Sequence, residues 1–66
     1  MYPNLKAELA RRDITVAELA ERTGINYQTL AKKISGKAPI AINEARIIRD
    51  AIDKELTVDY LFQEAA

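Results

Sequence analysis

The most informative part of this 66-residue chain is residues 15–37, which read TVAELAERTGINYQTLAKKISGK. Two short segments with helical patterns lie on either side of Gly24. The first follows Thr15, whose hydroxyl is predicted to form a T-x-x-E capping box with Glu18 at the start of a helix. Gly24 suits the left-handed backbone that commonly follows a helix end. The pattern therefore predicts a helix over 16–23 that stops sharply.

The second segment predicts a helix from about Tyr27 to Ser35, with Asn26 as its N-cap. Its apolar side chains recur at i, i+3, i+4 and i+7, which predicts one inward face made of Tyr27, Leu30, Ala31 and Ile34. Ala20 is small where the two helices would cross, and Ile25 can fill the angle between them. Two helices that cross steeply around one glycine form a helix-turn-helix, whose second helix can lie in a DNA major groove.

The N-terminal segment predicts a helix from about Pro3 to Arg12. Glu8 is placed to pair with Arg12 one turn later. Asp13 is expected to end this helix, because aspartate tolerates the left-handed backbone, although glycine does so at less cost.

The C-terminal half predicts two more helices beyond a loop at 37–41. The fourth runs from about Ile42 to Asp53, and its start is weakly capped because Ala41 stands where a hydroxyl is expected. Its predicted core stripe consists of Ala45, Ile48, Ala51 and Ile52. Its opposite face carries i,i+4 pairs of opposite charge, Arg46–Asp50, Arg49–Asp53 and Asp50–Lys54. The fifth helix is short, from Val58 to about Gln63, with Thr57 as its N-cap.

Composition excludes several classes of function. The chain has no His and no Cys, so it cannot form a Ser–His or Cys–His catalytic arrangement or a Cys/His metal site. We therefore expect no enzyme activity, no catalytic residue, no metal and no cofactor. No apolar run approaches the roughly 18 residues of a membrane span, and the N-terminus lacks a signal-peptide pattern. These features predict one cytoplasmic domain over 1–66 that makes no membrane contact.

The charges are unevenly distributed, although ten basic and ten acidic residues give a net charge of zero. A neutral chain would by itself argue against nucleic-acid binding. Residues 22–43, however, carry a charge of +4 and no acidic residue, through Arg22, Lys32, Lys33 and Lys37. This basic block coincides with the turn and the second helix of the helix-turn-helix. We expect it to meet phosphate, while the acidic remainder limits non-specific binding.

The chain resembles the Cro/cI repressor type of helix-turn-helix domain, also called the XRE family, and especially its small phage-like regulators. The matching runs are LAERTGIN at 19–26, LAKKISGK at 30–37 and VDYLF at 58–62. The resemblance implies an all-α, five-helix bundle of the lambda-repressor-like DNA-binding type. It also implies a sequence-specific regulator, a phage or prophage repressor or Cro-like protein, that binds a double-stranded DNA operator. Such proteins usually act as homodimers on near-palindromic operators, and we see no small-molecule effector site.

The resemblance also assigns roles by position. Base contacts are expected from the recognition helix, about 27–35, through Tyr27, Gln28, Thr29 and, one turn later, Lys32. Gln28 can pair with adenine N6 and N7, and Lys32 can reach guanine O6 and N7. Phosphate contacts are expected from Thr15, Val16, Asn26, Lys33 and Lys37. Many members of this family have a glutamine at the position of Val16, and its side chain would contact phosphate. In this chain mainly the free backbone amide of Val16 can make that contact.

Simpler interpretations stay open for several of these residues. Tyr27 can lie at the core edge, the lysines can be ordinary solvated residues, and Thr15 is first of all a helix cap. Three large residues near the C-terminus can either close the monomer core or, with parts of the fourth helix, form a dimer interface, namely Tyr60, Leu61 and Phe62. The neutral charge and the acidic last third also suit an alternative function: a protein-interaction module on the same fold, such as an antirepressor or antitoxin-like subunit. Because the chain begins with Met and ends soon after its fifth helix, we expect a small regulator rather than a fragment.

Overall fold

A computed structural model describes residues 2–64. Its helices are α1 (Pro3–Arg11), α2 (Val16–Thr23), α3 (Tyr27–Ile34), α4 (Ile42–Ile52) and α5 (Val58–Leu61). All five predicted helices are present and residues 2–64 contain no strand, so the predicted all-α class is confirmed. The largest difference lies in the last helix, which ends at Leu61 and not near Gln63.

Each helix contributes one fully buried aliphatic side chain to a shared core. These side chains are Leu5, Leu19, Leu30, Ile48 and Leu61, in helix order. The predicted core stripe of α4 is confirmed, because Ala45, Ile48 and Ile52 are buried and Ala51 packs against the same cluster. Since every helix is anchored at this core, the position of α2 and α3 depends on the whole bundle.

The prediction for the inner face of α3 is wrong at its first residue. Tyr27 is 53% exposed, whereas Leu30 is fully buried and Ile34 is half-buried. The side chain that packs at the start of α3 is Ile25, which lies in the turn and contacts the core cluster. Tyr27 instead lines an open surface groove beside α2, with Ala17 among its neighbours.

The turn after α1 has the geometry predicted for Asp13. Asp13 adopts a left-handed backbone with φ of 57°. Its N–H donates to the carbonyl of Ala10 at 3.2 Å, and the N–H of Ile14 donates to the carbonyl of Leu9 at 2.9 Å. This pair of bonds is a Schellman motif, and the apolar residues at its two ends, Leu9 and Ile14, both belong to the core.

The three predicted i,i+4 pairs of α4 are not formed among the residues described. Arg49 binds its neighbour Asp50 at 2.7 Å and also donates to the carbonyl of Leu56 at 3.3 Å, which directs it toward the loop before α5. Asp53 lies just after the helix and pairs with Arg12 of the α1 end at 3.1 Å. Arg49 and Asp53 therefore take other partners: Arg49 binds the adjacent Asp50 and the loop before α5, and Asp53 binds the end of α1.

Glu8 is a buried carboxylate that the sequence pattern did not identify as such. It is 3% exposed, and its carboxylate accepts a hydrogen bond from the hydroxyl of Tyr60 at 2.9 Å. It also pairs with Arg11 and, at 3.3 Å, with Arg12, the partner that the sequence predicted. The Tyr60 hydroxyl and the two guanidinium groups hold the pKa of Glu8 below its usual value, although desolvation opposes them. We call these four residues the Glu8 anchor, because they fasten α5 to α1.

Candidate nucleic-acid interface

The start of α2 is capped as predicted, but only half of the capping box is formed. The Thr15 hydroxyl accepts a hydrogen bond from the N–H of Glu18 at 3.1 Å. The Glu18 carboxylate does not return to Thr15, because it pairs with Arg22 one turn later at 2.7 Å. The first amides of the helix, those of Val16 and Ala17, have no acceptor inside the helix. Thr15 and these amides can therefore meet a phosphate at the α2 N-terminus.

The turn between α2 and α3 is fixed by short-range bonds. Gly24 has φ of 75°, in the left-handed region, and its N–H donates to the carbonyl of Ala20 at 2.9 Å. Thr23 adds a contact that the sequence pattern did not predict: its hydroxyl donates to the carbonyl of Leu19 at 2.9 Å and accepts from the N–H of Ile25 at 3.2 Å. The predicted helix-turn-helix is therefore present and held at both sides of Gly24.

Asn26 caps α3 as predicted. Its side-chain oxygen accepts hydrogen bonds from the N–H groups of Gln28 at 2.9 Å and Thr29 at 3.3 Å. Within residues 2–64 its side-chain nitrogen donates no hydrogen bond. Asn26 is exposed at the end of the turn, so this nitrogen is free to donate to a phosphate.

The four residues expected to contact bases lie together on the exposed part of α3. Tyr27, Gln28, Thr29 and Lys32 are all exposed, and the side chains of the last three form no hydrogen bond in the part of the chain described here. Gln28 and Lys32 are one turn apart, so they project from the same side of the helix. The structure therefore presents a polar face of α3 whose donors and acceptors are unoccupied.

Fewer positive charges of the basic block are available in the folded structure than the sequence predicts. Arg22 pairs with Glu18 and donates to the carbonyl of Ala51 at 3.2 Å. Lys33 binds both carboxylate oxygens of Glu44, at 2.6 and 2.7 Å. Of the four basic residues, only Lys32 and Lys37 form no ion pair among residues 2–64. The carboxylate partners lie just outside the block, where a count of charge over 22–43 misses them.

Lys33, expected to contact phosphate, thus lies in an ion pair that also caps α4. Glu44 accepts a hydrogen bond from the N–H of Ala41 at 3.1 Å, which supplies the half of a capping box that an alanine N-cap permits. The Lys33 ammonium, and next the Ala41 N–H, hold the pKa of the Glu44 carboxyl below its usual value. The Lys33 ammonium is therefore already bound to a carboxylate and is not one of the groups free to meet a phosphate.

Lys37 is held at the other end of α3 by its backbone. Gly36 has φ of 85°, and the N–H of Lys37 donates to the carbonyl of Lys32 at 3.0 Å. The Lys37 side chain itself is exposed. Thr15 precedes α2 and Lys37 follows α3, so these two residues lie at the two ends of the helix-turn-helix. The residues of the polar face of α3 lie between them in the sequence.

The residues expected at a dimer interface have different environments. Leu61 is fully buried inside the monomer, so its side chain is not available to a second copy, and that prediction is wrong for Leu61. Phe62 is half-buried against Tyr2, with ring centroids 5.3 Å apart and the rings nearly perpendicular. Tyr60 is partly exposed, but its hydroxyl donates to Glu8. The most exposed large apolar residue described is Ile42, at 61%, beside a surface cleft that Phe62 also lines.

The bundle and the exposed face of α3 define a DNA-binding domain of the helix-turn-helix class. Residues 4–55 match the family described as the Cro/C1-type HTH DNA-binding domain. The match covers most of the chain, from α1 to the end of α4, so this protein belongs to that family. Comparisons with curated proteins and with solved structures found no match. The family expected from the sequence is thereby confirmed.

Residues 2–64 contain neither a candidate membrane-spanning helix nor a group of candidate metal ligands. None of the helices there is long and apolar enough to cross a membrane. Among the same residues, no three acidic side chains come together in a group that could hold a metal ion.

Proposed function

We propose that this protein is a sequence-specific transcriptional regulator, a phage or prophage repressor or Cro-like protein, whose helix α3 lies in the DNA major groove. The observation that carries the proposal is the exposed set Tyr27, Gln28, Thr29 and Lys32 on a helix held at its N-terminus by Asn26. Family membership supports DNA as the partner. The unoccupied polar groups of α3 support readout of base edges.

Gln28 and Lys32 are spaced for bases about two steps apart. Four residues of α-helix span about 6 Å, which is close to two base-pair steps of about 3.4 Å. Gln28 is suited to the N6 and N7 groups of an adenine, and Lys32 to O6 and N7 of a guanine. Tyr27 and Thr29 flank Gln28 and add contacts to neighbouring bases, Thr29 through its hydroxyl or methyl group.

Phosphate contacts would come from both edges of the helix-turn-helix. Thr15 and the amide of Val16 would meet one phosphate, and Asn26 and Lys37 would meet others. Among these groups, Lys37 brings the one positive charge that forms no ion pair within residues 2–64. Non-specific binding should therefore be modest, and recognition should depend on base contacts and on a second subunit.

A second copy of the chain would place two recognition helices about one DNA turn apart, roughly 34 Å, on a near-palindromic operator. We propose that the apolar cleft beside Ile42 makes this contact, with Phe62 and the edge of Tyr60 included and Leu61 supporting them from inside. Ile42→Ser should shift the protein from dimer to monomer in analytical ultracentrifugation. Ile47→Ser is the matched control, because Ile47 is also on α4 and is 44% exposed but does not line the cleft.

The function is tested by fluorescence anisotropy with two labelled duplexes, one selected from a random library by the wild-type protein and one scrambled. The double variant Gln28→Ala, Lys32→Ala should lose its preference for the selected duplex. Lys37→Ala should weaken binding to both duplexes and make the salt slope shallower by about one unit. A folded wild-type protein that binds neither duplex at low salt contradicts the proposal.

A second candidate is a protein-interaction module on the same fold, such as an antirepressor or antitoxin-like subunit. It is favoured by the pairing of Arg22 and Lys33 with carboxylates, which reduces the charge available to DNA. A stable protein partner recovered from the host, together with no salt-sensitive DNA binding, would support this function over the first.

A further inference from the structure

We propose that Glu44 is a specificity-determining residue, which holds the ammonium of Lys33 away from DNA phosphates and so keeps non-specific DNA affinity low. The inference rests on the proposed DNA-binding function and deepens it. A lysine on the recognition helix is expected to contact phosphate. Here Lys33 instead forms an ion pair with Glu44 inside the domain.

The geometry of this ion pair is close and partly shielded. The Lys33 ammonium lies 2.6 and 2.7 Å from the two oxygens of Glu44. The side chains are only 15% and 28% exposed, respectively. The carboxylate is also held from the other side by the N–H of Ala41, at 3.1 Å. Glu44 is therefore fixed by the start of α4, and Lys33 is drawn to it from the neighbouring helix.

A phosphate would have to displace this carboxylate to bind Lys33. An ion pair shielded from water is stronger than the same pair at the surface, because water and salt screen it less. The Arg22–Glu18 pair shows the contrast, since both of its side chains are 43% exposed. Exposed pairs of that kind contribute little energy. Glu44 is therefore the better restraint, although both pairs neutralise charge near the helix-turn-helix.

Removing the charge of Glu44 should release Lys33. The lysine stem is long and flexible, and its ammonium is a mobile point charge, so it can turn from α4 toward the phosphates beside α3. Each added phosphate neutralisation makes the slope of log K against log salt steeper by about 0.9. At about 0.1 M salt this corresponds to an affinity several-fold higher for any DNA sequence, which lowers the ratio of specific to non-specific binding.

The test compares Glu44→Gln with Glu55→Gln on a random-sequence duplex. The amide oxygen introduced by Glu44→Gln can still accept from the Ala41 N–H, so this variant keeps the cap of α4 while losing the charge. Glu55 is exposed, and within residues 2–64 its carboxylate has no ion-pair or hydrogen-bond partner. Both substitutions change the net charge by the same amount. Anisotropy titrations from low to moderate salt give the affinity and the slope, and circular dichroism verifies folding.

Glu44→Gln should raise the affinity about three- to tenfold at 0.1 M salt and steepen the slope by about 0.9, whereas Glu55→Gln should change the affinity less than about twofold. Lys33→Met should keep the wild-type slope, and adding Glu44→Gln to it should have no further effect on the slope. A structural role alone would change stability and leave these slopes unmoved.

Two results would overturn the inference without contradicting the proposed function. One is an equal effect of Glu44→Gln and Glu55→Gln on the affinity and the slope. The other is a slope that becomes shallower by about 0.9 in Lys33→Met, because Lys33 would then already neutralise a phosphate. A folded wild-type protein without salt-sensitive DNA binding would instead contradict the proposed function, and this inference with it.

Discussion

The helix-turn-helix, residues 15–36, and the Glu8 anchor are both held by hydrogen bonds, but over different distances along the chain. In the helix-turn-helix the capping bonds of Thr15, Asn26 and Gly24 join residues two to four positions apart. In the Glu8 anchor the Tyr60 hydroxyl reaches a carboxylate 52 positions away. The geometry of α2 and α3 is thus encoded locally, whereas the attachment of α5 to α1 exists only in the folded bundle.

The largest expected loss of stability is that of Leu30→Ala, which tests whether the helix-turn-helix and the Glu8 anchor share one core. Leu30→Ala removes a fully buried side chain of α3 and should cost about 2–5 kcal/mol of unfolding free energy. Because Leu61 of α5 lies in the same cluster, both regions should unfold in one transition. Urea titration followed by circular dichroism measures this, with the exposed Ile47→Ala as control. A biphasic transition, or a cost below about 1 kcal/mol, would show that the helix-turn-helix packs independently.

Acidification should have the next largest effect, and more on the Glu8 anchor than on the Thr15 and Asn26 caps, whose hydroxyl and amide groups do not titrate. The pKa of Glu8 is lowered mainly by the Tyr60 hydroxyl, that of Glu44 by Lys33, and that of Asp53 by the N–H of Glu55 and by Arg12. A carboxylate with a lowered pKa stabilises the fold above its usual pKa, and this contribution is lost as pH falls through the folded value. The urea midpoint should therefore decline below about pH 4.

Glu8→Gln identifies the part that Glu8 contributes to this acid sensitivity. The variant should be less stable than wild type at pH 7, and the difference should shrink as the pH falls through the lowered pKa of Glu8. Glu21→Gln is the control, because Glu21 is exposed and has no side-chain partner in the part of the chain described. Parallel pH profiles for wild type and Glu8→Gln would argue against the anchor.

Tyr60→Phe tests the single long-range bond of the anchor. It removes the hydroxyl that donates to Glu8 and should cost about 1–2 kcal/mol, because hydrogen bonds to charged groups are stronger than neutral ones. Tyr27→Phe is the matched control, since the Tyr27 hydroxyl has no partner among residues 2–64 and the change should be within about 0.5 kcal/mol. Equal costs for the two variants would mean that the Glu8–Tyr60 bond contributes nothing.

Asn26→Ala tests the short-range capping bonds of the helix-turn-helix. It should have the smallest effect on global stability, about 1 kcal/mol. Its effect on α3 should be larger than this figure suggests, because the residues for base contact follow the cap directly. Amide hydrogen exchange should speed up at Gln28 and Thr29 first, since their amides lose their acceptor. Unchanged exchange there would show that the cap does not hold the start of α3.

The sequence predicted the local features well because each depends on one or two neighbouring residues. Thr15, Asn26 and Thr57 cap their helices, and Gly24 and Asp13 adopt the left-handed backbone. The error at Tyr27 came from extending a regular apolar stripe to the first turn of α3. There Ile25, in the turn, packs against the core cluster instead.

The long-range pairs could not be predicted in this way. Lys33 and Glu44 are 11 positions apart on two helices, and no periodicity links them. The spacing predicted Glu8 as one half of an i,i+4 pair with Arg12, but its burial follows from the docking of α5. A local signal did exist for Arg22, because Glu18 stands four positions before it, but Glu18 also fitted a capping box. Competing local roles of this kind are decided by the tertiary structure.

Base-edge readout by α3 is tested most directly by the ratio of affinities for selected and scrambled duplexes at about 0.1 M salt. We predict that wild type prefers its selected duplex by about a thousandfold or more, and that Gln28→Ala with Lys32→Ala removes most of this preference while weakening scrambled-duplex binding far less. A double variant that keeps the wild-type ratio would contradict the assignment of base recognition to this face of α3.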